Sequence, residues 1–514
     1  MIKNHIINTE DFVFLAAALF LLIVIFLPAV YILRDSATAK NFFTSEVIKS
    51  ILLSVEIGLA VTFINIIFGL PLAWILVRSK SRIVKLLDGL IDLSLIIPTA
   101  ALGLSIYLYW GSKFGLARLF GLEGGIFSKG PFLIILLHVV FTLPYMIRSI
   151  SASIIKINPA YERAALTLGA NYFTIFRSIF LPLFKEGIIV GSVLSFTRSL
   201  SETGATMLVA GAFTTAPVLI IGLKQSGQIP QAAGASVVMI LSAITILFLS
   251  KLFLGNKTTN FEKAYPNFEK SLLKFKTLKD IVLALFFIFI IFLPTIYLII
   301  FNLTKFVFPT ANVLIKSLFI SFSIAFIVTL INLFFSIPLA YLISHNKYRI
   351  GNILDILNDI VLLVPTSALG LSLLLFWQKF FSHEFLILIL AHLSFTFPLM
   401  VKPLTAAFKN IPMSLEEASY SLGASKVKTF KEILLPLIKP ALIAGFIMAF
   451  MRSLSETGAT LAITSNIKTI PIFIVELVGK GQINQAAFVC MILFVVSIIF
   501  LAILKYNKFS KDYF

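Results

Sequence analysis

Charge is what this chain has least of: charged residues make up 13% of its 514, against about 25% in an ordinary soluble protein. A water-soluble fold of that composition would expose large apolar patches, so a soluble cytosolic domain is excluded. Cysteine occurs once, as Cys490 inside an apolar run. One thiol builds neither a disulfide framework nor a cysteine-rich metal site, and its expected role is a small apolar filler. Histidine occurs five times. His138 and His392 each stand at the external end of an apolar run with no cysteine, acid or second histidine beside them, so no metal site is expected. A GxxxxGK(S/T) phosphate loop is also lacking, which leaves the chain without a cradle for ATP phosphates.

Apolar length is what it has in abundance. Hydrophobic residues are 59% of the chain and mean hydropathy is +1.02. Twelve runs reach the length of about 20 residues that a membrane-crossing helix needs. They lie near 12–33, 50–77, 86–110, 131–155, 186–210 and 231–254, then near 280–301, 317–344, 352–378, 384–408, 440–463 and 484–504. The first is too long for a signal peptide and lacks a small-residue cleavage site, so it reads as a retained helix. With the N-terminus in the cytoplasm, the internal segments hold 28 Lys and Arg against 12 outside, which places both termini inside. The net charge of +19 therefore marks loop asymmetry at a lipid surface rather than a nucleic-acid partner. Arg198 and Arg452 remain, both within predicted membrane.

The string RSLSETGAT occurs at 198–206 and again, letter for letter, at 452–460, an offset of 254. The same offset aligns His138, Phe141, Thr142 and Pro144 with His392, Phe395, Thr396 and Pro398. Upstream the offset is 267, where PTAALGLS at 98–105 matches PTSALGLS at 365–372. The first half thus carries 13 extra residues in a Gly-rich external loop. Six spans per half is even, so both halves, 1–256 and 257–514, enter the membrane with one polarity and are related by a pseudo-two-fold along its normal. The Lys-rich stretch 251–280 reads as the internal linker.

Both halves place their longest internal insertion after the fourth span. Asn158 then Pro159 supplies a helix start and Gly169 its stop. In the second copy Ser414 with Glu417 three residues on makes a capping box, and Gly423 the stop. Ala164 and Ala165, or Ala418 and Ser419, give each short helix small side chains that let another surface come close.

This loop resembles the signature of the ABC importer permeases: EAA, three residues, Gly, nine residues, Ile, one residue, Leu-Pro. Glu417, Ala418, Ser419, Gly423, Ile433 and Pro436 stand at that spacing, as do Arg163, Ala164, Ala165, Gly169, Ile179 and Pro182, with Arg163 in place of the acid. The resemblance implies an all-α membrane protein of two tandem six-helix bundles, the type I importer permease fold, in an inner membrane. It implies coupling loops that dock on two separate ATP-binding cassette subunits at the cytoplasmic face. An extracytoplasmic solute-binding protein would deliver the solute. The chain itself would be no enzyme and hold no cofactor, ATP being bound by the partner subunit.

Arg198 and Glu202, like Arg452 and Glu456, lie one helical turn apart on one face. A charge near mid-bilayer costs about 2.5 to 3.5 kcal/mol, so the pairs must face protein or water. They either line a pathway between the halves, with Thr203, Gly204, Thr457 and Gly458 allowing close packing, or hold helices in register. Ser199, Ser201, Ser453 and Ser455 are expected to bond within their own helices. Asp88, Asp92, Asp355 and Asp359 read as first-turn acids at a positive helix end. The SETGA segment resembles that of molybdate, tungstate and sulfate permeases, whereas two fused halves resemble ferric-iron, thiamine and aminoethylphosphonate importers. The expected cargo is a small solute or inorganic ion of one of these classes. A gradient-driven twelve-span carrier is the alternative, but residues 77–84 read VRSKSRIV and lack its Gly-Asp-Arg type loop.

Overall fold

The computed structural model describes residues 9–36, 44–79, 81–254, 276–345 and 350–506. Most of the Lys-rich linker and both chain ends lie outside the described residues, among which every regular element is helical. The first half runs α1 (Phe12–Arg34), α2 (Ser45–Arg78), α3 (Arg82–Ile96), α4 (Thr99–Ile106), α5 (Pro131–Ile155), α6 (Pro159–Thr167), α7 (Phe176–Leu183), α8 (Lys185–Ser201), α9 (Gly204–Val209), α10 (Ala216–Gln225) and α11 (Ile229–Leu254). The second runs α12 (Ile281–Thr304), α13 (Ala311–His345), α14 (Ile350–Leu363), α15 (Thr366–Trp377), α16 (Glu384–Lys409), α17 (Met413–Ser421), α18 (Lys426–Leu454), α19 (Gly458–Ile463), α20 (Ile470–Gly479) and α21 (Ile483–Tyr506). Among the described residues, eight helices are long and apolar enough to cross a membrane, or eleven if each bent pair is one span. The remaining expected span, α11, is apolar over Ile229–Thr245.

The third and fifth spans are not the straight crossings that apolar length suggests. The third is broken in both halves, α3 to α4 by 110° and α14 to α15 by 107°. Each break falls at a proline, Pro98 or Pro365, which sits in an extended conformation as the cap of the second piece. Proline disfavours helix at the residue before it, here Ile97 and Val364, so the chain turns there. The fifth span stops at Ser201 and resumes at Gly204, and its counterpart stops at Leu454 and resumes at Gly458. Two short helices absent from the sequence reading, α10 and α20, follow, each with proline in its first turn.

The halves interlock. One core gathers Val328, Leu369 and Phe397 of the second half around Leu21, Ile25 and Ile32 of α1 and Ile220 and Met239 of α10 and α11. The other gathers Val61, Leu104 and Leu143 of the first half around Phe287 and Leu298 of α12 and Ile474 and Leu493 of α20 and α21. Ring stacking fixes the exchanged spans: Phe20 lies on Phe335 at 4.1 Å and Phe68 on Phe286 at 3.6 Å between centroids. Ser372 Oγ donates to the Pro28 carbonyl at 2.6 Å and accepts from the Ile32 amide at 3.1 Å. A π-helical stretch precedes Pro28 in α1 and Pro294 in α12, which absorbs the backbone bond each proline cannot make. Since each core borrows its first and last spans from the other half, either half expressed alone is expected to be degraded. Co-expression of 1–256 with 257–514 restores a detergent-stable pair, measured by size-exclusion chromatography.

Candidate functional site

The two copies of Ser-Glu-Thr-Gly are where the fifth spans break, and both carry one geometry. Glu202 ends α8 and its Oε2 meets Arg198 Nη2 at 2.8 Å. Its Oε1 accepts from the Ala205 amide at 3.2 Å and from Thr99 Oγ1 at 3.0 Å. Glu456 pairs with Arg452 and accepts from the Ala459 amide at 2.9 Å. Each carboxylate therefore joins the guanidinium before the break to the backbone after it. The glutamates are 5% and 2% exposed, and a charge that deep persists only when paired. The guanidiniums also stack on aromatic rings, Arg198 over Phe141 and Arg452 over Phe395, both at 5.1 Å.

A buried histidine braces each break from the fourth span. His138 lies two turns inside α5, not at its outer end, and is 1% exposed. Its Nδ1 is 2.8 Å from Ser199 Oγ and its Nε2 2.9 Å from Thr206 Oγ1, one before the break and one after. His392 repeats this with Ser453 at 2.8 Å and Thr460 at 3.1 Å. Ser199 and Ser453 thus do not bond within their own helices as expected, whereas Ser201 and Ser455 do, to the carbonyls of Arg198 and Arg452. Asn65 and Asn332 each donate to the threonine of the same fourth span, Thr142 or Thr396, at 2.7 Å.

The breaks meet across the pseudo-two-fold. A side-chain carbon added at Gly204 would lie 2.4 Å from Thr457 Cβ and Oγ1, and one at Gly458 would lie 2.6 Å from Thr203 Oγ1. The contact is reciprocal, glycine of one half under threonine of the other. Between them is a cavity of about 10 Å³, room for one water at most. It is lined by Thr99, Thr203, Glu202 and their partners Thr366, Thr457 and Glu456. In this conformation the interface is shut.

The loops after the fourth spans form the expected short helices. Asn158 Oδ1 accepts from the Ala160 amide at 2.9 Å, with Pro159 next, and α6 ends at Gly169 with φ +82°. Gly423 ends α17 with φ +83°, a conformation that glycine adopts without strain. Arg163, Ala164 and Gly169 are exposed, as are Glu417, Ala418 and Gly423, while Ile179 and Ile433 are half-buried, and Pro182 near the end of α7 and Pro436 within α18 each follow a π-helical turn. The capping box does not form. Pro412 caps α17, so Ser414 is already helical and makes no capping bond to its backbone. Ser419 also departs from the free face, turning in to Thr429 at 2.8 Å.

The acid that anchors each loop is the residue before the expected one. Glu162 approaches Arg78 at the end of α2 at 3.7 Å. Glu416 bonds His345 Nε2 at 3.0 Å and the Tyr341 hydroxyl at 2.9 Å at the end of α13. Their equivalence was readable from the shared offset of 254, but the partners differ in type and were not. Asp88 and Asp92 are likewise not first-turn acids, because α3 starts at Arg82. They flank Arg148, Asp88 at 2.7 Å, and Asp355 and Asp359 flank Lys402 at 2.7 and 2.6 Å.

This doubled construction has a counterpart in known proteins. A family model described as the binding-protein-dependent transport system inner membrane component matches twice, over residues 65–256 and 332–513. The chain belongs to that family. Among its relatives, the molybdate/tungstate transport system permease protein of Methanocaldococcus jannaschii is 29% identical over 234 residues, 45% of this chain and 90% of that protein. The molybdenum transport system permease protein of Escherichia coli K12 is 32% identical over 209 residues, 40% of this chain and 91% of its own. The sulfate transport system permease protein of Salmonella typhimurium is 34% identical over 192 residues, 36% and 68%. The chain is a tandem inner-membrane component of a binding-protein-dependent transport system. Membership in a binding-protein-dependent system displaces the gradient-driven carrier.

Proposed function

We propose that this permease imports a tetrahedral oxyanion of the molybdate, tungstate or sulfate class along the interface between its halves. Two ATP-binding cassette subunits dock on the loops around Gly169 and Gly423 and hydrolyse the ATP, so the chain needs no cofactor of its own. A solute-binding protein outside the membrane supplies the anion, and both termini lie in the cytoplasm. Arg198, Glu202, Thr203 and Gly204 with Arg452, Glu456, Thr457 and Gly458 form the closing point of the path. The observation that carries this reading is the meeting of the two broken fifth spans at the pseudo-two-fold, each with its own paired charge. Docking at the loops is supported by their tips, where Leu168 and Leu422 are 87% and 88% exposed beside the bare glycines. Apolar side chains that open, repeated at equivalent positions, fit a protein partner better than water.

Uptake of labelled molybdate tests the cargo: unlabelled tungstate or sulfate should compete, and ferric iron and thiamine should not. Competition by either of the latter would reassign the solute. Docking is tested by Gly169→Asp with Gly423→Asp. A charge placed at each exposed glycine of the docking contact should cut co-purified ATPase by about tenfold or more and abolish uptake. Undiminished assembly would refute the docking site.

A further inference from the structure

We infer that Thr203 and Thr457 are the selectivity-determining donors of the path, their hydroxyls alternating between the glycine of the opposite half and the oxygens of the passing oxyanion. The inference rests on the oxyanion reading above and adds the groups that recognise the anion.

Thr203 and Thr457 are 2% and 3% exposed and both line the central cavity. Among the described residues, neither Oγ1 has a hydrogen-bond partner. A buried hydroxyl without a partner is costly, and two at equivalent positions on one axis call for a reason. The remaining groups at the axis decide what would satisfy them. Both glutamates are already engaged by an arginine and a backbone amide, so each Arg–Glu pair is neutral as it stands. The eight-residue α4 and the twelve-residue α15 start at Thr99 and Thr366 in the cavity wall and turn their positive ends toward it. The field left over favours an anion, and the free groups are uncharged donors. An uncharged donor suits passage, since a site on a conducting path must bind strongly enough to admit the ion and weakly enough to release it. A bare arginine would hold a dianion too well.

The closed cavity is far too small for a tetrahedral oxyanion. Separation of the halves breaks the Thr203–Gly458 and Thr457–Gly204 contacts and uncovers both hydroxyls at the moment the path widens. Closure and anion contact thus exclude each other, because one pair of hydroxyls serves both.

Valine keeps the branched shape of threonine and deletes the hydroxyl, so Thr203→Val with Thr457→Val preserves the closing contact while removing the donors. The full chain, produced with its ATPase and binding protein in cells lacking their own oxyanion importers, is assayed for initial uptake of labelled molybdate and sulfate. Loss of two donors should lower uptake by about tenfold or more, and Thr203→Ser with Thr457→Ser should stay within about threefold of the parent. Co-purification of the ATPase certifies that each variant has folded, and the single valine variants replace the double one should it fail to assemble. A smaller loss for valine, or an equal loss for serine, overturns the inference. If the parent itself imports none of the oxyanions, the oxyanion reading has failed instead, and with it this assignment.

Discussion

Glu202→Gln combined with Glu456→Gln is expected to stop uptake while the protein still inserts. The carboxylates are nearly fully buried and each neutralises a guanidinium that has little other solvation. Removing one partner of a buried pair leaves the other charge uncompensated, at about 3 to 5 kcal/mol per pair. Glutamine still accepts the Ala205 or Ala459 amide, so the helix break survives in outline and the loss concentrates on the arginine. The freed arginines would then seek another counter-charge, and the oxyanion is the one at hand. Uptake in membrane vesicles should fall below a tenth of the parent's, a loss that a stability shift of this size amply covers. Thermal stability of the detergent-purified protein should fall with it. Adding Arg198→Gln and Arg452→Gln removes the stranded charges and should restore stability without restoring transport. Normal uptake by the glutamine pair would leave the ion pairs with packing alone.

That prediction was legible early because the doubled RSLSETGAT places an acid and a base on one helix face, and the membrane forbids leaving either unpaired. The break between Ser201 and Gly204 was not, since a two-residue interruption leaves apolar length unchanged. The bends at Pro98 and Pro365 were missed for a similar reason: span counting rewards hydropathy, and the proline falls inside a run that stays apolar on both sides. Side-chain partners far apart in sequence were the other gap. Arg148 meets Asp88 across 60 residues, and His138 meets Ser199 across 61. Yet His138, Ser199 and Thr206 share one offset with His392, Ser453 and Thr460, a triple that the duplication alone could have proposed. At the loop the pattern Ser414 to Glu417 matched a cap in composition, but Pro412 starts the helix ahead of it. The exchange of first and last spans between cores leaves no local trace at all, because an apolar helix does not encode which bundle covers it.

Gly204→Ala with Gly458→Ala should jam the interface open. Alanine adds one carbon, and at Gly204 that carbon would fall 2.4 Å from two atoms of Thr457, well inside contact distance. Thr457 is β-branched and stiff about its first torsion, so it cannot swing aside cheaply. The second site repeats the clash, at 2.6 Å from Thr203 Oγ1 and 3.0 Å from Thr366 Oγ1. Overpacking of this kind costs about 1 to 3 kcal/mol per position. The strain exists only when the halves are closed, so it acts as a bias between states: about 2 to 6 kcal/mol in all shifts a two-state equilibrium by roughly 30-fold to over 10⁴-fold toward the open form. Proteoliposomes carrying the variant should leak sulfate without ATP, and ATP hydrolysis should no longer be tied to uptake. Gly222→Ala and Gly479→Ala are the matched controls, since a carbon at either glycine meets nothing within 4 Å. Thr203→Gly and Thr457→Gly added to the glycine variants remove both the Cβ and the hydroxyl that the new carbons strike, and should reseal the liposomes. Leak that persists after this relief would mean that something other than the reciprocal glycine–threonine contact closes the path.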